Sequence, residues 1–404
     1  MRLSKFCFLV GFLIFVSAQS VFAQSYREEG VRIGQNEFKD INGFRIGQAS
    51  LKAGVSTEAD FDSNVYLTSN NKKRDYINVT TTKFLMDLPL GIDERHLFQM
   101  MYKVDGGAFA DQKTQNYVNQ NAAANLNLRL PFGYLNVNND FKDTVDRAAT
   151  EFTSQVHRKE NKAQATLGVE VNKLSYELGY SDFIKRYYDQ AYQGIEYNED
   201  VVSGTMFYQL FPKTKALLEY DRGMVKYNKD RNRDSVYDEF MVGLKGDLTG
   251  KVVGIVKAGY QMRDYDTTGA KDYDGFVSET GLIGTFSDRT QLTLKYVTSI
   301  MESSFINNNY YNSNILSAEL EQKLIGHFSV LAKSSVSRNF YPESDTTYNI
   351  KRQDSLIGEG LALQYKLKDY GKLSLGYDYK ELMSNIDSKS YNDNIVSMRV
   401  DFLI

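Results

Sequence analysis

From Gly47 to the last residue, apolar and polar positions alternate with a period of two. The first run is the clearest. Leu51, Ala53, Val55, Thr57, Ala59 and Phe61 interleave with Lys52, Gly54, Ser56, Glu58, Asp60 and Asp62. On a strand the two sets occupy opposite faces, one suited to a greasy and one to a wet surrounding. A helix would not place Lys52 and Glu58 together on the face opposite Leu51 and Val55. The same alternation predicts eighteen strands, at 51–61, 76–90, 96–110, 117–130, 134–144, 161–171, 174–183, 201–211, 216–226, 240–248, 252–263, 276–286, 291–301, 315–324, 328–339, 356–367, 373–383 and 394–404.

The connections fall into two classes. Short turns, such as Pro131-Phe132-Gly133 and Asn172-Lys173, alternate with long polar loops, such as 146–160, 229–239 and 341–354. With an even strand count, this predicts an all-β fold: a closed antiparallel transmembrane β-barrel of about 18 strands, with short periplasmic turns and long extracellular loops. Tilted strands of this length span a hydrocarbon layer, and closure pairs every backbone donor and acceptor. A propeller would repeat with a blade signature that the chain lacks. A sandwich has no need for loops that alternate short and long.

The N-terminus follows a different pattern. Residues 1–23 hold Arg2 and Lys5, an apolar core from Phe6 to Val16, and Val21-Phe22-Ala23. This reads as a secretory signal peptide cut after Ala23. Residues 24–46 are polar without a sustained period and read as a periplasmic leader or small plug, with the barrel at 47–404. Cys7 is the only cysteine, so the exported part has neither a disulfide framework nor thiolate chemistry. Loss of Arg2 and Lys5 takes the formal charge from −3 to −5, a mildly acidic balance that argues against nucleic acid. Tyrosine (29) and phenylalanine (24) are abundant while proline (4) is scarce, as long ladders require.

Candidate chemistry is sparse. His96, His157 and His327 are scattered over turns and one loop, so they assemble neither a metal site nor a triad, and an enzyme is not expected. Asp264, Asp266, Asp272 and Asp274 gather carboxylates in one loop without the spacing of an EF-hand; no cofactor or metal is expected. The basic run Asn71-Lys72-Lys73-Arg74 in the first loop could touch anionic lipopolysaccharide. The polar faces of the strands place Lys52, Glu58, Glu170, Glu177, Lys295, Glu319, Glu321, Asp378, Lys380 and Arg399 on the lumen side as candidate pore-lining residues. Barrels of 16–18 strands leave an aqueous opening that such a mixed-sign wall would wet. At the C-terminus, Met398, Val400, Phe402 and Ile404 alternate outward, and the last strand resembles the signal by which such barrels meet the assembly machinery, with Ile404 where a terminal aromatic is usual.

Gly43-Phe44-Arg45-Ile46-Gly47, followed by Phe61-Asp62-Ser63-Asn64-Val65-Tyr66, resembles the opening of the putative β-barrel porin 2 family of outer-membrane proteins. That family's first strand typically ends in an aromatic–Asp–Asp–Asn–Val–aromatic phrase; here Ser63 replaces the second Asp. The resemblance implies a bacterial outer-membrane location. It also implies a place beside exopolysaccharide export systems, with a periplasmic polysaccharide export protein as partner. The expectation is a porin-like conduit for a hydrophilic solute, plausibly an exported exopolysaccharide. The alternatives are a general diffusion or uptake porin, and a structural or adhesive surface barrel with a closed lumen.

Overall fold

The structure is a computed structural model that describes residues 43–91, 95–147, 151–266, 271–305 and 308–404. The signal segment and most of the 24–46 leader lie outside the described residues. The strands are β1 (Phe44–Ile46), β2 (Ala49–Asp62), β3 (Asp75–Leu90), β4 (His96–Phe109), β5 (Tyr117–Leu130), β6 (Gly133–Asp146) and β7 (Val156–Val171). Next come β8 (Leu174–Tyr187), β9 (Tyr197–Phe211), β10 (Thr214–Tyr227), β11 (Ser235–Asp247), β12 (Val252–Tyr265) and β13 (Tyr273–Ser287). The last six are β14 (Thr290–Glu302), β15 (Tyr310–Lys323), β16 (Phe328–Ser344), β17 (Lys351–Leu367), β18 (Gly371–Ser384) and β19 (Tyr391–Leu403).

Each strand from β2 onward pairs antiparallel with the next, and β19 returns to β2 through a register from Ile395↔Asp62 to Leu403↔Gly54. The ring of β2–β19 is therefore a closed 18-stranded barrel, as the alternation predicts. Strand β1 completes the seam. It pairs with Ala49–Leu51, the stretch of β2 that lies beyond the end of β19. Ala53 and Ile404 exchange N–H···O bonds of 2.8 Å in both directions at that end. Backbone that would otherwise face lipid unpaired is thus satisfied.

The strands of the barrel are 13 to 17 residues long, more than the 9–11 or so that cross a bilayer. Most of the excess is at the extracellular ends. β7 starts at Val156 rather than near Asn161, β11 at Ser235 rather than near Phe240, and β15 at Tyr310 rather than near Ile315. Above the lipid, both faces of a strand meet water, so the apolar half of the alternation fades while the ladder continues. The short turns are tight. Asn172 takes φ 55° between β7 and β8, a left-handed conformation that asparagine tolerates.

The outward face is apolar, with aromatics toward both ends. Phe44, Tyr176, Tyr208, Phe211, Phe328, Tyr370 and Phe402 are exposed near the short-turn end, and Tyr102, Tyr180, Tyr220, Tyr260, Tyr296 and Tyr377 farther toward the loop end. These rings suit the two membrane interfaces. The upper tyrosines share one device. Tyr102, Tyr180, Tyr220, Tyr260, Tyr296 and Tyr377 each turn the phenol oxygen toward Gln120, Asp200, Asp238, Asp274, Asn314 and Asn394 respectively, two residues toward the loops from the direct cross-strand partner. The phenol is thereby satisfied within the wall.

Candidate functional site

The inward face replaces the hydrophobic core of a soluble protein with polar networks. At the centre of the β10–β13 wall, Lys257 is nearly buried and reaches Glu219 at 2.7 Å and Glu279 at 2.9 Å. Gln261 donates to Glu239 at 2.6 Å. Nearer the loops, Arg263 pairs with Glu302, which also accepts from Tyr227 Oη at 2.6 Å. Charges removed from water are tolerated when paired and hydrogen-bonded in this way.

The strands enclose a cavity of about 850 Å³. One side is built by β4–β11, with Lys103, Lys142, Arg158, Lys162, Lys185, Glu199, Glu219 and Asp221 among its lining. The other is built by Glu302, Tyr311, Lys380 and Tyr391. Lys185 Nζ rests over the rings of Tyr187 and Tyr197, at 5.6 and 5.9 Å from their centres. Lys162 meets Glu199 and Asp140 as longer-range charges. This part of the wall presents ammonium groups to the cavity.

The described parts of the β6–β7 loop, Arg147 and residues 151–155, turn inward. Arg147 donates to the Val65 carbonyl in the first loop. Glu151 is buried against the β14–β15 loop, eight strands around the ring: its carboxylate accepts from Ser303 Oγ at 2.8 Å and from Ser304 N at 2.6 Å. Burial pushes the Glu151 carboxyl above its usual range, against the pull of those two donors. Phe152 packs with Val156, Tyr187, Tyr192 and Ile195. The loop therefore narrows the outer half of the lumen.

All ten residues proposed from the sequence for the lumen side lie on the inward set of their strands, but the structure divides them. Glu177 and Lys380 line the cavity, and Glu177 accepts from Tyr134 Oη at 2.7 Å. Arg399 bridges Glu58 at 3.3 Å and Asp401 at 2.8 Å, and Asp378 lies within reach of Lys333 and Glu58 as charges. Lys52 pairs with Asp87 at 3.3 Å, Glu319 with Lys333 at 3.4 Å, and Glu170 with Lys215 at 3.8 Å. Lys295 sits near Glu319, and Glu321 is two positions farther along β15 on the same face. Most of this set thus pairs within the wall. Lys142, Lys162, Lys185 and Glu199 were not singled out, although each follows the same i, i+2 pattern. Arg147 and Glu151 lie in a loop, where no periodicity marks them.

The remaining candidates separate. His96 Nδ1 accepts from Arg129 N at 3.0 Å, His327 is near Tyr365 at the short-turn end of a distant strand pair, and His157 is on the outer wall beside Asp143. In the acidic loop, Asp272 accepts from Tyr265 N at 3.0 Å; part of that loop lies outside the described residues. Among the described residues, no three His, Cys, Asp or Glu side chains are grouped as metal ligands. Lys72 donates to Asn392 at the start of β19. Met398, Phe402 and Ile404 are exposed on the outer face of β19, with Val400 between them.

Solved outer-membrane proteins align with this chain over most of its length. The outer-membrane protein OpdK of Pseudomonas aeruginosa aligns with a TM-score of 0.50 and 10% identity, over 88% of this chain and 99% of that one. OccAB3 of Acinetobacter baumannii aligns with a TM-score of 0.45 and 11% identity, over 89% and 100%. The siderophore receptor PirA of Pseudomonas aeruginosa aligns with a TM-score of 0.39 and 9% identity, over 87% and 80%. Such identities speak to fold alone. No curated protein sequence matches the chain. A family profile described as putative beta-barrel porin 2 matches residues 39–402, nearly the whole chain and the whole ring of strands. The chain belongs to the putative β-barrel porin 2 family and is a porin-like barrel of the bacterial outer membrane.

Proposed function

We propose that the barrel is a passive conduit for a small hydrophilic solute. The carrying observation is the cavity of about 850 Å³ walled by charged, amide and tyrosine side chains from both sides of the ring. A polar solute crossing it exchanges water contacts for wall contacts without a covalent step. The paired charges of the β10–β13 wall hold shape, and the lysines of β6–β8 meet the solute.

A second reading, export of an exopolysaccharide beside a periplasmic export protein, draws on the inward tyrosines Tyr197, Tyr237, Tyr311 and Tyr391 at the cavity. Their faces suit sugar rings. The inward placement of Arg147, Glu151 and Phe152 narrows the lumen and favours the small solute. In either case Met398, Val400, Phe402 and Ile404 would present the last strand to the assembly machinery.

Single-channel conductance of the refolded barrel in a planar bilayer tests these readings. Steady conductance indifferent to sugars is expected for the small-solute conduit. Block by one class of polysaccharide fragment supports export. A folded barrel without conductance overturns both and leaves a structural or adhesive role.

A further inference from the structure

On the lipid-facing side of the wall, the outer ends of β7 and β8 carry a basic row beside Asp143 of β6. Lys159 shares a face of β7 with Ala163, Ala165 and Leu167, opposite Arg158, Glu160 and Lys162, which line the cavity. It is the direct cross-strand partner of Asp143 on β6 and of Arg186 on β8. Two cations directly opposite each other on a ladder repel, so the row calls for an anion.

The one carboxylate in the row is already shared. Asp143 lies 2.7 Å from His157 Nε2 and accepts from Tyr188 Oη at 2.9 Å, while Lys159 Nζ stands off at 4.0 Å. Arg186 donates to the carbonyls of Lys185 and Tyr197, at 2.8 and 3.0 Å, and to the side-chain oxygen of Asn198. All three acceptors are neutral, and Asp182, four residues back on the same face, meets Arg186 only as a charge at longer range. Elsewhere on the outer wall, Arg222 is met by both oxygens of Asp238, at 3.1 and 3.3 Å. The basic row is also pre-set in position. The His157 ring stacks on Tyr188 with centres 3.7 Å apart, and Lys159 Nζ sits 4.9 Å from the same ring centre.

Depth selects the ligand. Asp182 and Asp200 are direct partners on the outward face of β8 and β9, and two adjacent carboxylates there mark a level above the hydrocarbon. Arg186 is four residues farther out than Asp182; four residues of a tilted strand rise about 10 Å. That is the depth of headgroups, not of acyl chains. The outer leaflet of a bacterial outer membrane is built from phosphorylated glycolipid. Phosphate is an acceptor that both guanidinium and ammonium groups favour.

We infer that Lys159, Arg186 and His157 form a binding site for a phosphate group on the sugar headgroup of an outer-leaflet glycolipid, which is held against the outer wall of β6–β8. The inference rests on the outer-membrane location and not on what passes through the lumen.

The full chain, refolded into phosphatidylcholine nanodiscs, would be compared with bisphosphorylated lipid A, with dephosphorylated lipid A and with inorganic phosphate alone. Retained lipid would be read by native mass spectrometry and stability by the melting midpoint. Retention about tenfold higher for the phosphorylated lipid is expected, with that preference lost in the Lys159→Gln/Arg186→Gln double variant while conductance is kept. Arg186→Glu gives Lys159 an internal partner, so it should raise the lipid-free midpoint and still lose lipid retention. A residue with a structural role only would not separate the two readouts. Equal retention of both lipids, or full preference in the double variant, overturns the site. So does an equal loss in Lys226→Gln, on the outer face of β10, which would mean diffuse surface charge. Inorganic phosphate that reproduces the midpoint shift through the same residues overturns the lipid as its ligand.

Discussion

Two arcs of the same ring use lysine in opposite ways. On β10–β13, Lys257 is enclosed by Glu219 and Glu279, so its charge is spent on holding the wall. On β6–β8, Lys162 and Lys185 face the cavity with carboxylates at longer range and tyrosine rings beside them. The strands are of similar length and the alternation is the same in both arcs. What differs is whether the acid one strand away is already taken: Glu160, opposite Lys185, is held by Arg158 at 2.7 Å, and Asp140, opposite Lys162, has Lys142 at 3.6 Å. Where the acids close on the lysine, its charge stabilises the wall; where another cation holds them, the charge remains for a passing solute.

The largest expected effect comes from breaking the enclosed arc. Lys257→Ala leaves two adjacent carboxylates on the inner wall without their cation, and removing one partner of a buried ion pair costs about 3–5 kcal/mol. The denaturant midpoint of the refolded barrel should fall accordingly. An unchanged midpoint would mean that water already screens the triad.

The open arc should answer in selectivity instead. An ion about 7 Å from a lysine through water gains about 0.6 kcal/mol, close to RT, so each lysine is worth roughly a threefold bias toward anions. Lys162→Gln/Lys185→Gln should shift the reversal potential in a salt gradient toward cations and leave the midpoint within about 0.5 kcal/mol. If stability falls as for Lys257→Ala, the two arcs are not different in kind.

Glu151 gives a smaller, pH-dependent test. Its carboxyl is raised by burial, so the docked loop favours the protonated form. Docking is then strongest below the ordinary carboxylate range and weakens as pH rises through that range toward the raised value. Conductance should be lower in acid than at neutral pH, and Glu151→Gln should flatten that profile. A variant that keeps the wild-type profile would assign the titration to another group. The smallest effect is expected on the outer wall. Tyr220→Phe removes the 2.6 Å bond to Asp238 and should cost about 1 kcal/mol, read as a lower midpoint with conductance unchanged.

The alternation of Leu51–Asp62 made strand, face and barrel legible, because lipid on one side and water on the other impose a period-two code on every crossing. The ten charged residues named for the inner face were readable for the same reason. The role of each was not. Arg399 meets Glu58 across a separation of 341 positions, and whether a lysine finds an acid depends on register between strands. The outer ends of β7, β11 and β15 carry no such code, since no lipid faces them there.

The sequence by itself determined the strand count, the alternation of short turns and long loops, the outer-membrane barrel and the family, all of which follow from the two-solvent pattern. Only the tertiary structure decided which charges pair and which face the cavity, that Glu151 anchors a loop across the lumen, and that Lys159 and Arg186 stand side by side toward the lipid. Those are contacts between chain segments, set by ring closure and strand register, and periodicity along one segment carries no record of its neighbour.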